Sequence, residues 1–529
     1  MVDLAQLPND PEKLKAIIST QIQDYTQQIQ SKDNLITTKE KQIQSIEEEN
    51  EVLREALRLA RIERFAKQSE KLPSDQSELF DEAEALSDPV DTKEDPEDII
   101  EVPAHKHDRG KRKPLPDHLP REDVIIDLTD DEKVCAKDGT PLKEIGSEVS
   151  EQLDVIPAQF KVIRTIRKKY ICPCCDESIK TASSPEKILP KSNATPGLLA
   201  YIAINKYIDA LPLYRIENIF KRYDVEIPRN TMARWMIELS ERLTPLYNIM
   251  EEDLLSADFV SCDETKVQVL KEPGKEAESQ SYMWVRTRHG PGISPIILFD
   301  YDPTRKKEVP NRLLKDFKGY LQVDGYAGYD AICKLEDVTR VACMAHIRRK
   351  FFDVNKASKK KSAIANRVLK LIQKLYKIEV QIKEAKIAER FKQRQAEAPK
   401  VLDQLKEIID ENENRHPPKG LLGKAFTYAK NQWPFMMNYL KDGRLSIDNN
   451  FTENRIRPFA IGRKNWLFSD SQAGAKASAM IYSILQTARG NGLEPYAYMR
   501  YLLTELPKCQ SIDQIENLLP YNIDPKILN

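Results

Sequence analysis

The sequence predicts a multidomain α+β chain: a long N-terminal helix, a small β-rich module, a helical region, and an α/β domain interrupted by further helices. Three observations carry this reading. Apolar residues recur at helical spacing from Ile18 to Leu57. A stretch rich in Pro, Asp, Glu and Ser then separates that segment from the rest. From Ser256 onward, three alternating apolar runs follow one another and give way to strand–helix–strand alternation.

With 529 residues the chain is long enough for several separate cores. Its net charge of -1 excludes no partner, because local patches outweigh the sum. No run of eighteen apolar residues is present, so no membrane span is expected. The N-terminus lacks a basic segment followed by an apolar one, so a cytoplasmic protein is expected. Of the eight cysteines, Cys135, Cys172, Cys174 and Cys175 crowd together, while Cys262, Cys333, Cys343 and Cys509 are scattered. That is not the spacing of a secreted disulfide framework.

Residues 12–68 read as a coiled-coil helix. Ile18, Ile22, Tyr25, Ile29, Ile36, Ile43, Ile46, Leu53 and Leu57 keep one heptad register, with Lys32 and Lys39 at d and Asn50 at a. The register implies a homodimer or higher oligomer; one amphipathic helix lying on its own protein is the alternative. Residues 69–120 form a linker, acidic over Glu78–Glu101 and basic over Lys106–Lys113. The basic stretch suits phosphate contact or plain solvation equally.

Residues 121–190 read as a small zinc-finger-like β module, with strands expected in VIIDL and FKVIRTIRKKYI. Cys172 and Cys175 can present two thiolates to one Zn²⁺. Upstream, Cys135 is followed at the matching spacing by Asp138 rather than Cys, so the candidate set is Cys135, Asp138, Cys172 and Cys175, with Cys174 competing. A module packed without metal is the other reading. Residues 191–250 read as a helical, helix-turn-helix-like DNA-binding region. Asn230 or Thr231 is expected to cap its last helix, and Arg234 would sit where a recognition helix meets base edges.

In residues 251–346 the order is three antiparallel strands, a helix (KEVPNRLLKDF), a strand (GYLQVDGY), a short helix (YDAICKLE) and a strand (RVACMAH). That is the order of a ribonuclease H-like domain. Residues 347–440 are rich in Lys, Glu, Gln and Ala and too long for a loop, so they read as an all-helical insertion. Residues 441–485 return to the catalytic core with a last helix, and 486–529 form a C-terminal extension. Asp263 falls in the first strand, Asp324 ends the fourth, and Glu453 enters the first turns of the last helix.

Such a trio suits two Mg²⁺ or Mn²⁺ ions. In-line displacement at phosphorus uses two ions about 3.5–4 Å apart to activate the attacking oxygen and stabilise the leaving one. Hard ions take oxygen ligands and few protein carboxylates. Asp258, Glu264, Asp330 and Asp448 compete for the role, and Glu453 could simply pair with Arg457 one turn on. Basic residues flank the acids: His346, Arg348, Arg349 and Lys350 on one side, Arg455, Arg457, Arg463 and Lys464 on the other, with Trp466 and Phe468 beside them. A groove for a DNA strand end and a charged face with core aromatics both fit that pattern.

Over nearly its whole length the chain resembles transposases of the insertion sequence 66 family. The matching stretches are RFAKQSEKL, ELFDEAE, LPREDVIIDL and GLLAYIAINKYIDALPLYRIENIF, then CDETKVQVL, VDGYAGY, CMAHIRRKFF, IDNNFTENRIRPFAIGRKNWLFS and NGLEPYAYM. The resemblance implies a leucine-zipper-like segment, a zinc-finger-like module, a DDE catalytic domain and a short C-terminal element. It carries the catalytic roles to Asp263, Asp324 and Glu453, ranking Glu453 over Asp448. It also implies DNA partners (terminal inverted repeats and target DNA) and accessory proteins of the same element. Where the family's first zinc knuckle has C-x-x-C, this chain has Cys135-Ala136-Lys137-Asp138. The alternatives are a catalytically inactive DNA-binding descendant and a different ribonuclease H-like nuclease.

Overall fold

A computed structural model describes residues 10–65, 120–125, 133, 140–141, 150, 152–153, 159–171, 179–357, 362–413 and 415–528. The chain divides into two compact units, Asp91–Ala182 and the remainder, Met1–Val90 with Ser183–Asn529.

In the smaller unit, β1 (Lys169–Ile171) pairs antiparallel with β2 (Ile179–Thr181). The expected strand over FKVIRTIRKKYI is therefore confined to its last residues. Residues 161–168 have no partner strand among the described residues and stay irregular, as do Val124 and Ile125 of the VIIDL run. Cys135, Asp138, Cys172 and Cys175 lie outside the described residues.

The larger unit begins with α1 (Pro11–Phe65), one uninterrupted helix. Its seam residues from Ile18 to Leu57 are each more than half exposed. Four helices follow: α2 (Pro196–Tyr207), α3 (Leu213–Lys221), α4 (Arg229–Arg242) and α5 (Thr244–Leu255). Thr195 caps α2 by accepting the Leu198 N–H at 3.2 Å, with Pro196 preset for the first turn. The cap expected at Asn230 or Thr231 is absent. Pro228 occupies the N-cap position, and Glu217 of α3 accepts the Arg229 N–H at 3.3 Å instead. A proline there has no side-chain oxygen to offer, so the preceding helix supplies one.

The sheet comprises β3 (Phe259–Lys271), β4 (Gln280–Gly290), β5 (Ile293–Asp302), β6 (Gly319–Val323) and β7 (Val338–Ala342), in the order β5-β4-β3-β6-β7. The first three are antiparallel, and β6 and β7 are parallel to β3. Between β5 and β6 lies α6 (Glu308–Leu313). Between β6 and β7, two 3₁₀ turns (Ala327–Tyr329 and Ile332–Lys334) replace the continuous short helix expected there, and Tyr329 is fully buried.

After β7 come α7 (Met344–Ala357), α8 (Ala363–Gln381), α9 (Ile387–Asn412) and α10 (Leu421–Met436). They share an apolar core that includes Phe351, Ile372, Leu405 and Phe426. Then come α11 (Asn450–Trp466), the short β8 (Ser469–Ser471) paired with β3, α12 (Gln472–Gly490), α13 (Pro495–Glu505) and α14 (Ile512–Glu516). The segment limits drawn at 250/251, 346/347 and 485/486 fall inside α5, α7 and α12. No helix among the described residues is long and apolar enough to cross a membrane.

Candidate active site

Asp263 lies on the central strand β3. The register sets Phe259 beside Tyr320 and Ser261 beside Gln322, so two residues further along Asp263 comes level with Asp324 at the end of β6. Parallel neighbours in a sheet stand about 4.8 Å apart, which brings the two carboxylates to one edge of the fold. Asp324 Oδ1 accepts the Tyr326 N–H at 2.9 Å and holds the turn that follows. Gly325 makes that turn possible at close quarters: a Cβ there would meet the Tyr428 ring of α10 at 2.6 Å.

Glu453 arrives from α11, which packs against β3 and β4. The segment before it is fastened on several sides. Gln322 Nε2 donates to Ser446 O at 2.9 Å, Met344 N–H to Ile447 O at 3.0 Å, and Asn449 Nδ2 to Cys262 O at 3.3 Å. Thr452 and Thr287 hydroxyls meet at 2.7 Å. Glu453 itself is buried; its Oε2 lies 3.3 Å from Arg349 and its Oε1 3.7 Å from His346 Nδ1.

The electrostatics tie these acids together. Burial pushes the Asp263 carboxyl well above its ordinary range, and the charges of Glu264, Glu453 and Asp324 push it further. The Glu264 N–H, donating to Asp263 Oδ1 at 2.8 Å, opposes this. Glu453 Oε1 has no hydrogen-bond partner among the described residues. A crowded, under-compensated set of carboxylates on two strands and a helix fits divalent cations.

Each of the four competing acids has partners of its own. Glu264 accepts from Tyr329 Oη at 2.8 Å and pairs with Arg305, which stacks on Tyr326 at 3.9 Å. Asp258 pairs with Arg444 at 2.6 Å, and Asp330 with Arg340 at 3.0 Å. Asp448 Oδ1 accepts the Asn450 N–H at 3.2 Å on the side of Tyr376 of α8, and burial raises its carboxyl to about 6.

The expected basic residues divide. Arg234 is exposed on α4, 3.9 Å from Glu238. Arg348 lies over Phe352 at 5.8 Å, and Arg455 over Phe451 at 4.9 Å. Arg457 is half-buried on α11, and Lys464 is exposed near its end. Arg463 is tied to the sheet. It donates to Thr265 Oγ1 at 3.3 Å and to Lys266 O, clamping α11 onto β3. Trp466 packs edge-on against Phe459, while Phe468 is exposed. Sequence reasoning assigned Cys343, Arg305 and Tyr329 no part in this site. Only short spacing from His346 and Asp324 could have pointed to Cys343 and Tyr329, and no local signal pointed to Arg305.

Known proteins supply the family. The family model described as Transposase IS66 family matches residues 191–477. Others match 132–176 (zinc-finger binding domain of transposase IS66), 52–124 (Transposase C of IS166 homeodomain) and 483–521 (IS66 C-terminal element). Two proteins of Sinorhizobium fredii, the uncharacterized proteins y4jD and y4qI, are each 32% identical, over 77% of this chain and 81% of the relative for the first and 79% of both for the second. A third, y4hP, is 28% identical over 79% of this chain and 78% of its own. No solved structure matches. With more than half its length inside one family model and three long relatives beside it, the chain belongs to the transposase IS66 family.

Proposed function

We propose that this DNA-binding transposase is catalytically competent, cutting and joining the strands of an insertion sequence through Asp263, Asp324 and Glu453. The observation that carries the reading is the β3–β6 register that sets Asp263 level with Asp324, with Glu453 carried on a helix that packs on β3. The sheet order, with acids on neighbouring β3 and β6 and on a helix packed against β3 and β4, supports a ribonuclease H-like core. Two Mg²⁺ or Mn²⁺ ions, when bound, would activate the attacking oxygen and stabilise the leaving one.

The chain's own residues do the rest. Asp263 and Asp324 offer oxygen ligands from adjacent strands, and Glu453 completes the set. Arg349 holds the Glu453 carboxylate in place. Arg348, Arg455, Arg457 and Lys464 are proposed to guide phosphates of a strand end, and Arg234 to contact the terminal inverted repeat. The exposed apolar seam of α1 supports self-association, and the zinc-finger family match supports Zn²⁺ at Cys135, Asp138, Cys172 and Cys175.

Asp324→Asn tests the reading. Cleavage of a DNA fragment carrying the element's ends, with Mg²⁺ present, should fall by at least about a thousandfold, while end binding by gel shift stays unchanged. Cleavage at the native rate would refute the assignment. A native chain that binds ends without cutting them would mark the inactive, DNA-binding alternative.

A further inference from the structure

We propose a second metal site beside the carboxylates, in which Cys343, His346 and Glu453 bind one Zn²⁺-like ion. The Cys343 Sγ, a His346 ring nitrogen and a Glu453 carboxylate oxygen all lie within 4.8 Å of one another. Cys343 lies between β7 and α7 and His346 on the first turn of α7, so one strand-to-helix junction supplies both. Glu453 reaches them from α11.

Three features point to a cation there. His346 Nδ1 and Glu453 Oε1 face each other at 3.7 Å, and neither has a hydrogen-bond partner among the described residues. Two buried polar atoms left unsatisfied at that separation are costly unless something lies between them. The Cys343 sulfur is already arranged as an acceptor: the Asn449 N–H donates to it at 3.2 Å, and the His346 backbone N–H also points at it. The ligand chemistry then selects the ion. One sulfur, one imidazole and one carboxylate suit Zn²⁺, whereas Mg²⁺ prefers oxygen alone. Three protein ligands leave a fourth position open, as in exchangeable rather than purely structural sites. Binding releases the thiol proton to solvent.

The site shares Glu453 with the carboxylate trio. Zn²⁺ would therefore draw Glu453 from Asp263 and Asp324 and oppose Mg²⁺-supported cleavage; this consequence rests on the proposed function, whereas the binding does not. The test reads binding directly. The full chain carrying Cys135→Ser, Cys172→Ser, Cys174→Ser and Cys175→Ser is titrated with Co²⁺ under reducing conditions, following the near-ultraviolet thiolate-to-cobalt absorption band. The band should saturate at one ion per chain, vanish with the further change Cys343→Ser, and weaken by roughly tenfold or more in affinity with His346→Ala. Equimolar Zn²⁺ should abolish it. No band while Cys343 is present, or a band that survives Cys343→Ser, overturns the site. Should the four-serine chain fail to fold, the native chain and its Cys343→Ser variant are compared by difference spectrum. Loss of one thiolate's absorption supports the site and identical spectra refute it. Because no cleavage is measured, an inactive transposase could still pass, and an active one could still fail.

Discussion

Asp448 and Glu453 sit close together at the start of α11, and their side chains part company there. Glu453 faces Arg349, His346 and the charge of Asp263, while Asp448 faces Tyr376. The difference has a pH signature. Asp448 has an ordinary value of 3.8 and a folded value of about 6. Below 3.8 it is protonated in both folded and unfolded chains and changes nothing. Between 3.8 and about 6 the unfolded chain ionises while the folded one resists, so stability is lost across that window and the loss is complete above about 6. Asp448→Asn keeps an oxygen for the Asn450 N–H and removes the charge. At pH 7 the variant should be more stable by up to roughly 3 kcal/mol, and the difference should shrink towards pH 4. Urea unfolding at both pH values measures this, and an equal or weaker variant at pH 7 would contradict the burial of Asp448.

Among the elements, α12 has a role that its sequence does not announce. β5 is the edge strand of the sheet, and an edge strand carries unpaired backbone groups. One face of α12 satisfies them. Ser483 Oγ accepts the Phe299 N–H at 2.7 Å, Thr487 Oγ1 both accepts from Ile297 N and donates to Ile297 O at 3.0 Å, and Asn491 Nδ2 donates to Pro295 O at 2.9 Å. These residues recur one helical turn apart, so they line one stripe along the strand. Thr487→Val keeps the shape and leaves two buried backbone groups unpaired. It should lower stability by about 1–3 kcal/mol, seen as a lower urea midpoint with unchanged slope. A variant of native stability would mean water replaces the hydroxyl.

At the scale of the larger unit, the helices after β7 help to position the segment that carries Glu453. Arg394 of α9 is completely buried, and its guanidinium uses every donor it has. Two go to Glu379 at 2.8 and 2.7 Å; the others go to the carbonyls of Tyr439, Asp442 and Leu445 at 3.0, 2.9 and 3.0 Å. Those three carbonyls belong to the stretch that leads into α11. Arg394→Lys retains the charge but lacks the planar fork. Under the proposed chemistry it should lower the single-turnover cleavage rate more than tenfold, while end binding changes less than about twofold. An unchanged cleavage rate would make Arg394 a matter of stability alone. At the other end of the unit, the α1 seam predicts that Ile29→Asp with Ile36→Asp lowers the assembly state in sedimentation; an unchanged mass would argue against the seam as the contact.

Much of this was legible in the residues. The heptad in α1, the order of strands β3 to β7, and the places of Asp263 and Asp324 at strand positions all follow from local periodicity, which a chain carries wherever it folds. The relation between those pieces does not. No spacing rule says which way Asp448 and Glu453 point, because that depends on how the segment leading into α11 is held. Contacts from Cys262, Gln322, Thr287 and Cys343, far apart in sequence, hold it. The same holds for Arg463, which reads as a DNA contact and is turned to β3, and for Cys343, which only the meeting of β7 with α11 sets beside Glu453. Sequence by itself determined the elements and the family; the tertiary structure decided which side chains meet, because such meetings rest on long-range packing that local pattern does not encode.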